Sequence, residues 1–209
     1  MALQAFHGLV AQAPAALALI EAVLLEQDLL SREAALAGEL ERPEPVVLTA
    51  EQVSGTEPLP ECLTGESPRP RRIAADATWE AYYRYSRRLA TAGRCEFVRR
   101  WVGFEVALRN ALASARARAL DLDPDEYLVA EEIADADAPV AEIVSSWSAA
   151  ADPLSALRVL DGRRWAWIDE HSRYFSFALD ELAGYARKLV LVCRWYVLAR
   201  EQARAAQVS

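Results

Sequence analysis

The chain has 209 residues, 53% of them hydrophobic, and a formal net charge of −8. That size and apolar content exclude a disordered chain and allow a sizeable core. The acidic balance, with a pI near 4.9, argues against a nucleic-acid binder, which needs a basic surface. Alanine occurs 41 times against 8 glycines, in runs with Leu, Arg and Glu, which is helix-forming composition.

Residues 1–20 carry no formal charge, but they lack a basic leading stretch and Pro14 interrupts them, so they do not read as a signal peptide. Leu3–Val10 reads as a short apolar start in extended form. Ala15–Leu40 reads as a helix, with apolar Leu17, Ile20 and Leu24 and a second group at Leu29, Leu30 and Leu36. Glu41–Arg72 holds six prolines, two glycines and few large apolar residues, so 41–75 is expected to be a long loop or insertion outside the core. Thr78–Ala92 is an aromatic-rich helix stopped at Gly93, and Arg94–Leu120 a long one. Asp125–Ala138 is acidic, mixed loop and short helix. Ala141–Ala150 is a short helix, and Pro153 opens another that runs to about His171. Ser176–Gln207 is the last and longest helix, and no strand pattern of consequence occurs. The expected fold is therefore all-α: one compact helical bundle over 1–209, with two long helices at about 94–120 and 176–207 and a Pro-rich loop.

On the first long helix, Phe97, Trp101, Phe104, Leu108 and Leu112 fall on one stripe, a core face. Glu105 and Arg109 are spaced to pair at i, i+4. Asn110 lies on a small-residue side and is either a bridge between helices or an ordinary solvated residue. On the last helix Leu182, Tyr185, Leu189, Val192, Tyr196 and Ala203 form a stripe that neighbouring apolar residues widen to half the circumference. Asp180, Arg187, Arg194 and Glu201 recur every seven residues as a thin polar seam. A helix this apolar is expected to be central and buried, or in part to await a partner.

Charge comes in bands: net −9 over 1–66, +7 over 67–121, −9 over 122–161 and +3 over 162–209. The bands suit docking to partners of opposite sign, or pair internally. Cys62, Cys95 and Cys193 have no metal-ligand spacing and fit a reducing compartment. With two histidines, no glycine-rich phosphate loop and no nucleophile elbow, the sequence implies no cofactor, no metal and no catalytic residue. Trp165 and Trp167 read as core packing before partner contact.

The stretch Phe104–Leu112 (FEVALRNAL), followed by Arg116 and Leu120–Asp123, resembles a helix of the central-axis component of V/A-type rotary ATPases. Phe175-Ser176-Phe177, then Leu179, Leu182, Ala183, Tyr185 and Lys188, resembles a recurring stretch of the same component. The likeness is closer to a smaller bacterial family encoded among V-type ATP synthase genes. That likeness rests on Phe6, Leu9, Val10, Ala11 and Pro14, on Trp165, Trp167 and Glu170, and on Arg194-Trp195. The resemblance implies a non-catalytic subunit that links the central stalk to the membrane ring. Such a protein is cytoplasmic, peripheral to the inner membrane, and meets the membrane only through the complex. The resemblance implies partner-binding roles for Arg109, Asn110, Arg116, Tyr185, Lys188, Arg194 and Trp195. Two other readings stand beside it: an assembly or regulatory adaptor of the same complex, and a helical hydrolase using Glu170 or Glu105 as a base.

Overall fold

The computed structural model describes residues 2–65 and 71–208, and these form an all-α fold. In chain order the helices are α1 (Ala2–Val10), α2 (Pro14–Leu36), α3 (Ala50–Ser54), α4 (Ala74–Ala92), α5 (Glu96–Ala119), α6 (Val140–Ser148), α7 (Pro153–His171) and α8 (Leu179–Val208). Both long helices lie where hydrophobic periodicity places them. Internal contacts gather in two units: residues 1–56 with 168–209, and residues 57–167.

In the first unit α2 packs on α1, α3 and α8. Pro14 opens α2 at a position where its missing N–H costs nothing. Leu19, Ile20, Val23, Leu24 and Leu29 of α2 are all at most 5% exposed. Each such side chain contributes about 1.5–3 kcal/mol by leaving water. On α8 the buried residues are Ala183, Gly184, Ala186, Arg187, Val190 and Leu191. Arg187, one of the four residues of the polar seam, is fully buried. Its Nη1 donates to Glu26 Oε2 at 2.8 Å and to the Val23 carbonyl at 3.3 Å, and its Nη2 donates to Glu26 Oε1 at 3.0 Å. The guanidinium fork thus joins α8 to α2 inside the unit.

Two expectations need correction here. Residues 2–10 are helical, not extended; Leu3 and Val10, seven apart, both turn inward. The Pro-rich stretch 41–75 is not a bare loop outside the core, although residues 66–70 of it lie outside the described residues. Thr49 and Gln52 form a reciprocal capping box at the start of α3, and Gly55 ends that helix at φ 83°. Leu48, Val53 and Leu63 are 7%, 0% and 1% exposed. The buried Asp28 carboxylate accepts the backbone N–H groups of Val46 (2.9 Å), Val47 (2.6 Å) and Leu48 (2.8 Å), and so fastens the stretch to α2. Burial pushes the Asp28 carboxyl up, against the lowering effect of those three donors.

The second unit centres on α5, packed by α4 and α6. Trp167 meets the rings of Phe97, Trp101 and Phe104 at centroid distances of 5.7, 5.3 and 5.3 Å. Of the two tryptophans on α7, Trp167 is therefore core, whereas Trp165 stays 38% exposed. Beside this cluster Arg164 donates to both oxygens of buried Glu105, at 2.7 and 2.9 Å. Gly103 faces the 130s segment so closely that a Cβ would lie 3.2 Å from the Ile133 carbonyl. The basic and acidic bands meet within this unit: Arg84 pairs with Glu132 at 2.8 Å, and Arg72 with Glu126.

Candidate functional site

The seven residues singled out by sequence do not converge on one place. Arg109 donates to Asp76 at 2.7 Å and lies 5.1 Å from the centre of the Trp79 ring, so it ties α5 to α4. Asn110 is buried and not a solvated residue, but it bridges to the loop at Val129 and not to a second helix: its Nδ2 donates to the Val129 carbonyl at 2.8 Å and its Oδ1 accepts the Val129 N–H at 3.0 Å. Arg116 is exposed and sits over the Trp147 ring at 5.2 Å. These three belong to the second unit and hold its own elements together.

Tyr185, Lys188, Arg194 and Trp195 belong to α8 in the first unit. Tyr185 is 57% exposed while its ring meets Phe6 at 5.6 Å. Lys188 pairs with Asp169, and its Nζ lies 2.7 Å from the Tyr174 hydroxyl. Burial alone lowers an ammonium pKa, but the bonds to Asp169 and Tyr174 outweigh it and hold Lys188 above its usual range. Arg194 and Trp195 are half-buried on the following turns.

The expectation that α8 is buried on nearly all sides fails on its outer face. There Tyr185, Val192 and Tyr196 are 51–62% exposed, and Val197, seven residues after buried Val190, is 51% exposed beyond the end of the buried stretch. The reason is that α2 covers one face of α8, and no residue described after Leu191 is buried on either face. Apolar content shows how much of a helix prefers cover, but not how much of it the same chain supplies.

Just before α8 the chain makes a turn that sequence reasoning did not single out as a site. Phe175 and Phe177 both take left-handed backbone, at φ 59° and 52°, which is costly for aromatic residues. Their rings are 88% and 95% exposed. The Glu181 carboxylate accepts the N–H groups of Phe175, Ser176 and Phe177, each at 2.8 Å, and these donors hold its pKa low. A single carboxylate thus fixes two phenylalanines in water. Beside them lies an open cleft of about 560 Å³ lined by Ala15, Ala16, Phe177, Leu179, Leu182 and Tyr185.

The second unit has a smaller, polar cleft of about 140 Å³ at Cys62, Glu80, Arg84 and Arg88. Glu80 there is engaged by Arg84 at 2.9 Å and by Arg71 at 3.1 Å, and burial pushes the Cys62 thiol up, away from a reactive thiolate. Among the described residues no group of three or more His, Cys, Asp or Glu is placed to hold a metal ion. Nor is any helix among them long and apolar enough to cross a membrane.

Fold and site together define an all-α protein with an exposed aromatic helix face. The chain belongs to the family described as protein of unknown function DUF2764, whose model matches residues 63–206 and so takes in α4 to α7 and nearly all of α8. No curated protein and no solved structure matches the chain.

Proposed function

We propose that the chain is a non-catalytic subunit of a V/A-type rotary ATPase, which links the central stalk to the membrane ring and docks through the outer face of α8. The observation that carries this reading is the set of exposed large apolar residues Phe175, Phe177, Tyr185, Val192 and Tyr196, before and along one face of α8. Contiguous surfaces of that kind mark partner contacts. The partner's identity rests on the resemblance of residues 104–123 and 175–188 to the central-axis component of those ATPases. A coupling element has to be stiff, and the Trp167 cluster and the Glu26–Arg187 pair supply close-packed, cross-braced interiors to the units that hold them. Asp169, Tyr174 and Lys188 order the segment that leads into the docking face.

The test is binding to purified central-stalk proteins and to the detergent-solubilised membrane ring, read by size-exclusion chromatography. The chain is expected to co-elute with them, and Tyr196→Asp, at an exposed position, to elute alone with unchanged melting temperature. Co-elution with neither would sink the reading. Binding to a free stalk protein that is lost in the assembled complex transfers the chain to the assembly-factor class.

A further inference from the structure

In the second unit an acidic segment of the chain lies along α4 and α5 together. From Val129 to Asp135 it runs toward the 93–95 connection between the two helices. Val129 is held by Asn110 at 2.8 and 3.0 Å, Glu132 accepts from Arg84 at 2.8 Å, and the Asp135 N–H donates to the Gly103 carbonyl at 3.0 Å. There the segment leaves. The chain turns at 136–137 and enters α6, which runs back along α5 until Trp147 lies under Arg116.

One turn nearer the connection the two helices are strongly basic. Residues 87–100 hold five arginines and one acid. That acid, Glu96, is gripped through both oxygens by Arg99. Arg87, half-buried, has no carboxylate partner among the described residues. Its Nη1 donates to the Arg99 carbonyl at 2.9 Å, and burial, with the Arg99 charge beside it, lowers its pKa. Arg94 and Arg100 are exposed and form no ion pair among the described residues. Arg88 turns to the Cys62 cleft instead. Asp135, where the acidic segment ends, does not pair with these arginines; its Oδ1 accepts the Asp137 N–H at 3.1 Å as the chain turns away. Like charges gathered so closely repel one another, and an acidic ligand relieves that repulsion.

We infer that the end of the α4–α5 pair, at Arg87, Arg94, Arg99 and Arg100, is a docking surface for a short acidic segment of a partner protein. The Glu132–Arg84 pair shows the mode: carboxylates laid along these two helices meet arginines of α4, and the next turn repeats the arginines without supplying the carboxylates. A short peptide fits better than a nucleic acid or an anionic bilayer. Those present negative charge far beyond this corner, where the chain's net charge of −8 repels them. The surface belongs to the second unit, so it goes beyond the α8 docking reading and does not depend on it.

The probes are three fluorescein-labelled ligands: a ten-residue peptide alternating Glu and Ala, its counterpart with Gln for Glu, and a ten-nucleotide single-stranded DNA. Binding to the full chain is read by fluorescence anisotropy at low and high salt. The Glu peptide is expected to bind about tenfold more tightly than the Gln peptide, with the difference lost as salt rises. Arg100→Gln is expected to weaken its binding about threefold and Arg94→Gln/Arg100→Gln about tenfold, with melting temperature unchanged, since both side chains are already in water. Arg118→Gln changes the net charge equally at an exposed position near the other end of α5, and is expected to leave binding unchanged. Equal binding of the two peptides, a loss in Arg118→Gln as large as in Arg100→Gln, or tighter binding of the DNA than of the Glu peptide each overturns the inference. None of these outcomes uses ATPase components or α8, so failure here is separable from failure of the rotary-ATPase reading.

Discussion

Replacing Arg187 by methionine is expected to be the most damaging single change in the first unit. Arg187 is fully buried, and Glu26, its partner, is 6% exposed. Methionine fills much of the volume of the arginine stem but leaves the Glu26 carboxylate without the two donors at 2.8 and 3.0 Å. Stranding a buried charge costs about 3–5 kcal/mol, a large share of the roughly 5–15 kcal/mol that holds a typical domain folded. The double variant Glu26→Met/Arg187→Met removes both charges, and replacing both members of a buried pair with apolar groups is often neutral or better. It is therefore expected to recover most of the loss. Urea titration followed by far-UV circular dichroism measures the totals, and amide hydrogen exchange in α2 and α8 localises them. A loss below about 1 kcal/mol in Arg187→Met, or a double variant as weak as the single one, contradicts the assignment of this pair as the buried tie between α2 and α8.

Asn110→Ala is expected to cost about 2–4 kcal/mol, because both the N–H and the carbonyl of Val129 lose their partner in a buried place, whereas Arg116→Glu, which loses only the exposed contact with the Trp147 ring, is expected to cost at most about 1 kcal/mol; equal melting temperatures for the two variants contradict this. The Glu181 carboxyl is held below its usual value, so its brace on the 175–177 turn is present above about pH 4.5 and is lost as pH falls through the depressed value. The Phe175 and Phe177 amide resonances are expected to shift in that acid range in the native chain and not in Glu181→Gln. Asp28 has the opposite sign, since its folded pKa is raised: its contribution is fully present below the ordinary value of 3.8 and is lost as pH rises through the folded pKa. The unfolding free energy of the native chain minus that of Asp28→Asn is therefore expected to fall as pH rises from below 3.8 through the raised folded value, and a rise refutes the assignment.

The helices were legible in the sequence wherever apolar residues recur over several turns. Phe97, Trp101, Phe104, Leu108 and Leu112 fix α5, and Pro153 fixes the start of α7. The Pro-rich segment was illegible as core because Leu48, Val53 and Leu63 are isolated, and because its anchor is the Asp28 carboxylate about twenty residues away. A local signal was nevertheless there: Thr49 and Gln52, with Gly55 after them, spell a capped short helix. Arg187 stood out only as one member of a polar seam, because its partner Glu26 lies 161 residues away, beyond any periodicity argument. The candidate site was half legible. The stripe containing Tyr185, Val192 and Tyr196 stands in the sequence, but which side of α8 the fold covers depends on α2. The Phe175–Phe177 turn depends on left-handed backbone that aromatic residues rarely adopt, and on Glu181 bonding to the chain that precedes it.

The central claim is mechanical coupling, and it is tested most directly by reconstituting a V/A-type ATPase into vesicles with and without this chain, measuring ATP hydrolysis beside ion pumping. Without the chain, hydrolysis by the soluble head is expected to continue while pumping collapses, and adding the native chain is expected to restore pumping where Tyr196→Asp does not. Hydrolysis and pumping both at full rate in its absence would contradict the account.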